Sequence, residues 1–254
     1  MEKGPGVAAR PLILSYQCVV GANGLEPSTP TMSRWCSNQL SYAPEALQYI
    51  LDSMNWFVHV DDDLVVVNKP SGLLSVPGRT IADCAWARVQ AELPDALVVH
   101  RLDMSTSGLL LFARGAAMQR AFSIAFMKRA VAKRYVAVVD GSPVGDEGCI
   151  ELPIIVDWPN RPRQQVDFVR GKPSLTHWRV LQREGARTRV QFEPVTGRSH
   201  QLRVHAAAMG WPIAGDELYG HEHSAPRLLL HASELSLPHP TDGRTLSWSS
   251  PPAF

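Results

Sequence analysis

One stretch of this chain sets a lone carboxylate among basic and polar groups directly before an apolar run: His100-Arg101-Leu102-Asp103-Met104-Ser105-Thr106-Ser107-Gly108. A carboxylate so placed can act as a nucleophile, as a general base, or as half of a surface ion pair. The ion pair, worth about 0–1 kcal/mol, is the plainest explanation on spacing alone. The surrounding charge adds a second consideration. From His100 to Arg134 the basic residues are Arg101, Arg114, Arg120, Lys128, Arg129, Lys133 and Arg134, against the single acid Asp103, a net +6 over 35 residues. The whole chain balances 25 Lys+Arg against 24 Asp+Glu, so this excess is local. A local basic stripe is either a solvated helix face or the footprint of a polyanion.

Other chemistries find less support. Cys18, Cys36, Cys84 and Cys149 form no C-x-x-C pair and no regular framework, which suits free thiols in a reducing, cytoplasmic compartment. His221-Glu222-His223 lies in a Gly/Ser/Pro-flanked stretch without third and fourth ligands at zinc-like spacing, so no metal is expected. No apolar run approaches the roughly 20 residues of a membrane helix. Pro11–Ala22 faintly resembles a leader core, but Ser15-Tyr16-Gln17 interrupts it, and neither export nor membrane association is expected.

The elements that must position Asp103 follow from the apolar runs between turn signals. Leu64–Val67 reads as a buried strand stopped by Asn68-Lys69-Pro70-Ser71-Gly72. Gly108–Ala113 is a second buried strand, followed by a helical pattern over 116–129, and Tyr135–Val139 is a third strand. Segments 174–182 and 186–193 form a pair joined at Glu184-Gly185; 200–209 is a helix closed by Gly210; Leu228–Leu230 and Leu246–Trp248 complete the set. Many strands with few helices between them predict an α+β domain with a mixed, mainly antiparallel central sheet and flanking helices. With 254 residues, 45% of them hydrophobic, the chain supports one such domain over 55–254. Residues 1–54 read as a loosely ordered N-terminal extension ending in a short helix over 43–56.

The stretch His100–Gly108 resembles the catalytic motif of the RluA family of RNA pseudouridine synthases. Four more segments occur in that family's order: Asn68–Gly72, Lys133–Ala137, Thr196–His205 and Gly215–Gly220. Leu74–Arg79 and Asp157-Trp158-Pro159-Asn160-Arg161-Pro162 are most similar to the RluA subgroup, whose typical substrates are a 23S rRNA hairpin and the anticodon stem-loop of certain tRNAs. The resemblance spans 55–254, and residues 1–54 have no recognised counterpart.

The resemblance implies isomerisation of uridine to pseudouridine in structured RNA by a monomeric enzyme that needs no cofactor. The N1–C1′ bond breaks, the uracil turns, and C5 joins C1′ with loss of the C5 proton. Asp103 is then the catalytic residue, as nucleophile or as the base that opens the sugar, and Arg198 is the cation that pairs with it and keeps it ionised. Tyr135 stacks on the uracil and can handle the C5 proton. Leu202 supplies an apolar wall, although core packing explains it equally well. Arg101 fills the stack left by the extruded uridine, and Lys128, Arg129, Lys133 and Arg134 become phosphate contacts. Two rivals remain: a non-catalytic RNA-binding protein on the same scaffold, and a carboxylate-dependent hydrolase of nucleosides or glycosides. The hydrolase would normally require a second acid at fixed spacing.

Overall fold

The computed structural model describes residues 56–221 and 223–254. The N-terminal extension and, save for Trp56, the helix expected over 43–56 lie outside the described residues. In chain order the elements are β1 (Phe57–Val60), β2 (Leu64–Lys69), α1 (Ala85–Glu92), β3 (Ala96–Val98), β4 (Ser107–Arg114), α2 (Gly115–Met127), β5 (Ala132–Asp140) and β6 (Glu147–Glu151). They continue with β7 (Ile154–Val156), β8 (Gln164–Val166), β9 (Leu175–Glu184), β10 (Arg187–Pro194), α3 (Gln201–Ala208), β11 (Leu230–Pro238) and β12 (Thr245–Ser249).

Ten strands form one sheet along the path β1-β2-β4-β11-β5-β10-β9-β6, with β12 paired to β11 and β3 to β4. Every pairing in it is antiparallel except β4 with β11, so the sheet is mixed and mainly antiparallel, as the strand-rich pattern predicts. β2 and β4 are buried almost throughout because both faces of this sheet are covered there, which explains their near-continuous apolar sequences. The parallel seam is tight. Gly108 has φ +113 and lies so close to Ala232 that a Cβ would collide with its backbone, so the glycine that ends the motif permits the seam.

Two apolar clusters flank the seam on the face carrying Tyr135. One joins Val65, Val67, Leu110 and Phe112 to Val89 of α1; the other joins Ala137, Val190 and Phe192 to Leu202 and Ala206 of α3. Tyr135 packs against both, which places it where the two halves meet.

The helices expected over 116–129 and 200–209 occur as α2 and α3, within a residue or two at their ends. The sequence pattern does not reveal β1, β3, β6 or the small hairpin β7–β8, because these strands are short or alternate weakly, and the eight-residue α1 escapes it as well. β11 runs well past Leu228–Leu230 because its polar members are satisfied in place: His231 pairs with Ser107 Oγ at 2.9 Å and with the Ser250 carbonyl at 3.0 Å, and Ser233 donates to the Arg134 carbonyl. Among the described residues no helix is long and apolar enough to cross a membrane.

Candidate active site

Asp103 lies in the loop between β3 and β4, and the β4 end of that loop is fixed by the seam. From the other side the loop is tied down by Lys69, the last residue of β2. Its fully buried Nζ donates to the carbonyls of Pro70 at 2.8 Å, Leu73 at 2.8 Å and Met104 at 3.1 Å, so one amine holds the Asn68–Gly72 turn and the residue after Asp103 together. Ser75 adds a second tie, donating to the Leu102 carbonyl and accepting from its N–H.

Burial lowers the Lys69 pKa to about 7, while the Asp103 charge acts in the opposite direction. The value in the unfolded chain is near 10.5, so between the two the unfolded state binds more protons and stability rises with pH. The cost of the buried charge is fully present below the folded value and disappears above the unfolded one. The urea midpoint of the wild type should therefore climb relative to that of Lys69→Met between about pH 7 and about pH 10. Parallel curves for the two proteins would place the titration elsewhere.

The Asp103 carboxylate, 28% exposed, opens into a cavity of about 110 Å³ beside Tyr135, Lys133, His200, Leu202 and Arg203, with Arg101 and Arg198 as exposed members of its wall. The cation facing it is Arg203, whose Nη1 stands 3.8 Å from Oδ2. That separation is an ion pair without a hydrogen bond. No described residue donates to either carboxylate oxygen.

Arg203 corrects the expectation for Arg198. Arg198 precedes α3 and is exposed, with Nε and Nη2 turned to the Pro173 carbonyl at 3.4 and 3.3 Å. Arg203 lies within α3 and is 5% exposed, and the helix aims it at the carboxylate. Its charge is secured by Asp216, which accepts from Nε at 2.7 Å and from Nη2 at 2.6 Å and is itself buried. Burial works against the Arg203 charge, but these bonds and the carboxylates of Asp216 and Asp103 hold its pKa above the ordinary value. The Tyr219 ring lies 5.2 Å from the guanidinium, and the Tyr219 hydroxyl bonds His200 Nδ1 at 2.8 Å and accepts the Gln164 N–H at 2.7 Å. The signal missed in the sequence is an arginine between Leu202 and Val204 in a helix: at a buried position, it needs a buried acid.

Strand alternation separates the basic residues of β5. Lys133 and Tyr135 point to the cavity, whereas Arg134 points to the opposite face and is bonded to Glu193 at 2.8 Å and Glu234 at 2.7 Å. Arg134 is thus withdrawn from the expected phosphate contacts. Lys128 and Arg129 close α2, exposed and outside the cavity. Leu202 serves both readings, lining the cavity while belonging to the core. His100 is structural: burial lowers its pKa to about 3, its Nε2 accepts the Leu111 N–H at 3.0 Å, and its ring stacks on Phe126. Burial, and next the Asp103 charge, push the Tyr135 phenol well above its ordinary value, so it carries its proton at neutral pH. No described residue pairs with that hydroxyl.

Among the described residues Asp103 is the only acid lining the cavity, and Asp216, on the far side of Arg203, is consumed by that guanidinium. A single available carboxylate suits rearrangement within a bound nucleoside better than hydrolysis, which uses a second carboxyl group to activate water. Comparisons with known proteins lead to the same class. Residues 63–208 match the family model described as RNA pseudouridylate synthase. A Pasteurella multocida protein named dual-specificity RNA pseudouridine synthase RluA is 48% identical over 221 residues, covering 85% of this chain and 99% of its own length. Its namesake from Escherichia coli K12 is 47% identical over 207 residues, covering 78% and 94%. Among solved structures, human RNA Pseudouridylate Synthase Domain Containing 1 superposes with a TM-score of 0.67 at 30% identity, over 77% of this chain and 82% of that one. The chain belongs to the RNA pseudouridylate synthase family, and it is an isomerase of that class. The Pasteurella match covers more of the chain than residues 55–254 supply, so similarity reaches into the extension.

Proposed function

We propose that Asp103 isomerises a uridine to pseudouridine in structured RNA, the substrate being a 23S rRNA hairpin, a tRNA anticodon stem-loop or both; the relatives' name, dual-specificity RNA pseudouridine synthase, supports more than one RNA substrate. The observation that carries the reading is the Asp103 carboxylate itself: open to the cavity, without a hydrogen bond from any described residue, and faced by a buried guanidinium. Either route to C1′, direct attack or removal of a sugar proton, needs an ionised carboxylate with an unshielded oxygen. The reaction balances within the substrate. N1–C1′ breaks, C5–C1′ forms, and the C5 proton leaves as one returns to N1.

The surroundings divide the remaining work. Tyr135 offers a flat face to the uracil and an unpaired hydroxyl to its C5 proton; being un-ionised, it takes that proton only while passing its own onward. Arg101 fills the gap left in the RNA stack, and Lys133, Lys128 and Arg129 meet phosphates. Arg198, at the mouth of the cavity, meets the RNA backbone as well. The same reading takes the enzyme to be a monomer that acts in the cytoplasm, where rRNA and tRNA are met.

The test is to incubate the protein with total RNA from a strain lacking its own copy of the enzyme and to map pseudouridine by carbodiimide-dependent primer extension. One or a few new stops are expected; no stop, or release of free uracil, would sink the reading. Within the site, Tyr135→Phe should bind RNA normally and turn over about 10² to 10⁴ times more slowly, as loss of a positioned proton-transfer group does. A rate close to wild type would leave Tyr135 a stacking role alone.

A further inference from the structure

The motif Asp157-Trp158-Pro159-Asn160-Arg161-Pro162 has no task in the chemistry described so far. It forms the tip between β7 and β8, and every residue from 158 to 163 is exposed. The tip is nonetheless well braced. The Asp157 N–H donates to the Arg163 carbonyl at 3.0 Å, the Arg163 N–H to the Asn160 carbonyl at 3.0 Å, and Asn160 Nδ2 to Asp157 Oδ2 at 2.9 Å. Upon this frame Trp158 is 64% exposed, and the Arg161 guanidinium lies 4.5 Å from its ring centroid. One face of the indole is thereby backed by a cation. The indole keeps an open face on an ordered turn with a cation behind it, an arrangement that suits stacking by an unpaired base.

The hairpin is also joined to the active site. Beside the tip, Arg163 stands 5.5 Å from the Tyr219 ring, and the Gln164 N–H donates to the Tyr219 hydroxyl, whose ring packs on Arg203. The surface therefore begins where the cavity wall ends. A polyanion whose uridine enters the cavity would run past two arginines and one open indole face, a combination suited to an unstacked base followed by its phosphate.

We propose that Trp158, backed by Arg161, is a stacking platform for an unpaired nucleotide flanking the target uridine, and that Arg163 holds the adjoining phosphate. The proposal rests on the reading of the cavity as an RNA-modifying site, and it assigns to the hairpin affinity and loop selection rather than chemistry. Because the platform is preformed, little ordering cost offsets its contribution.

The test uses the full chain and a panel of transcribed tRNA anticodon stem-loops and 23S rRNA hairpins, with affinity read by filter binding whether or not a hairpin is converted. On the tightest-binding hairpin, Trp158→Ala should bind about 5- to 150-fold more weakly, the range for loss of one stacked base, with an unchanged salt slope; Trp158→Phe should keep most of the affinity. Abasic substitution at one unpaired position should weaken the wild type by a similar factor and weaken Trp158→Ala no further. The converted hairpin should react at the same single-turnover rate when saturated. Equal affinity of Trp158→Ala, or penalties that multiply at every loop position, would overturn the proposal. Binding effects as expected without conversion by wild type would instead count against the assigned chemistry. Since Trp158 is exposed, the Ala variant should keep the wild-type melting temperature, and a lowered one would show the ring to be structural.

Discussion

Asp103→Asn should fold, bind RNA with nearly unchanged affinity, and form no detectable pseudouridine. Asn has almost the shape of Asp and keeps one carbonyl-type acceptor, but it has no charge with which to attack C1′ or take a proton. The substitution should cost little stability. Among the described residues the Asp103 carboxylate has one ion-pair partner, Arg203 at 3.8 Å, and it is itself partly exposed; pairs of that kind contribute about 0–1 kcal/mol. Arg203 keeps its two short bonds to Asp216, so the wall of the cavity should stay in place. Single-turnover rates on one cognate hairpin, beside a melting curve and a binding isotherm, separate these effects. Substantial turnover by the folded variant would overturn the assignment of Asp103, and the reaction would then have to start from another group.

What the sequence discloses depends on how local the cause is. The runs at 64–67, 108–113 and 135–139 are visible because each strand is buried by its own apolar residues, and α2 by its own period. Asp103 and Tyr135 are legible as motif members, since short segments carry them. The cation opposite Asp103 is different. Two arginines, Arg198 and Arg203, lie five positions apart in one motif, and which of them faces the carboxylate depends on where α3 begins and on Asp216 lying behind it. No local pattern contains that information. Arg134 was within reach of simple alternation, because Lys133 and Tyr135 share one face of β5 and the residue between them must take the other. The parallel pairing of β4 with β11 joins Ser107 to His231, too far apart in sequence for any periodicity to show. Trp158 is a further case: its type suggests core, and only the fold shows it held outside.

The buried pair should give the largest loss of stability. Arg203→Met leaves the Asp216 carboxylate buried with only the Leu218 and Tyr219 N–H donors, at 2.9 and 3.1 Å, in place of a guanidinium. Breaking one side of such a pair costs about 3–5 kcal/mol, a large part of the roughly 5–15 kcal/mol that keeps a domain folded. The same change deprives Asp103 of its counter-charge, so turnover should fall even in molecules that remain folded. Stability and catalysis can be separated by neutralising the stranded acid. In Arg203→Met/Asp216→Asn no unpaired charge remains buried at this position, and Asn still accepts from the two backbone donors, so much of the lost stability should return. The activity should not return, because nothing in the double variant replaces the cation at Asp103. Urea midpoints and single-turnover rates, taken at a temperature where every variant is folded, provide both readings. A stable double variant that reacts at the wild-type rate would reduce Arg203 to a packing element and show that Asp103 needs no partner charge.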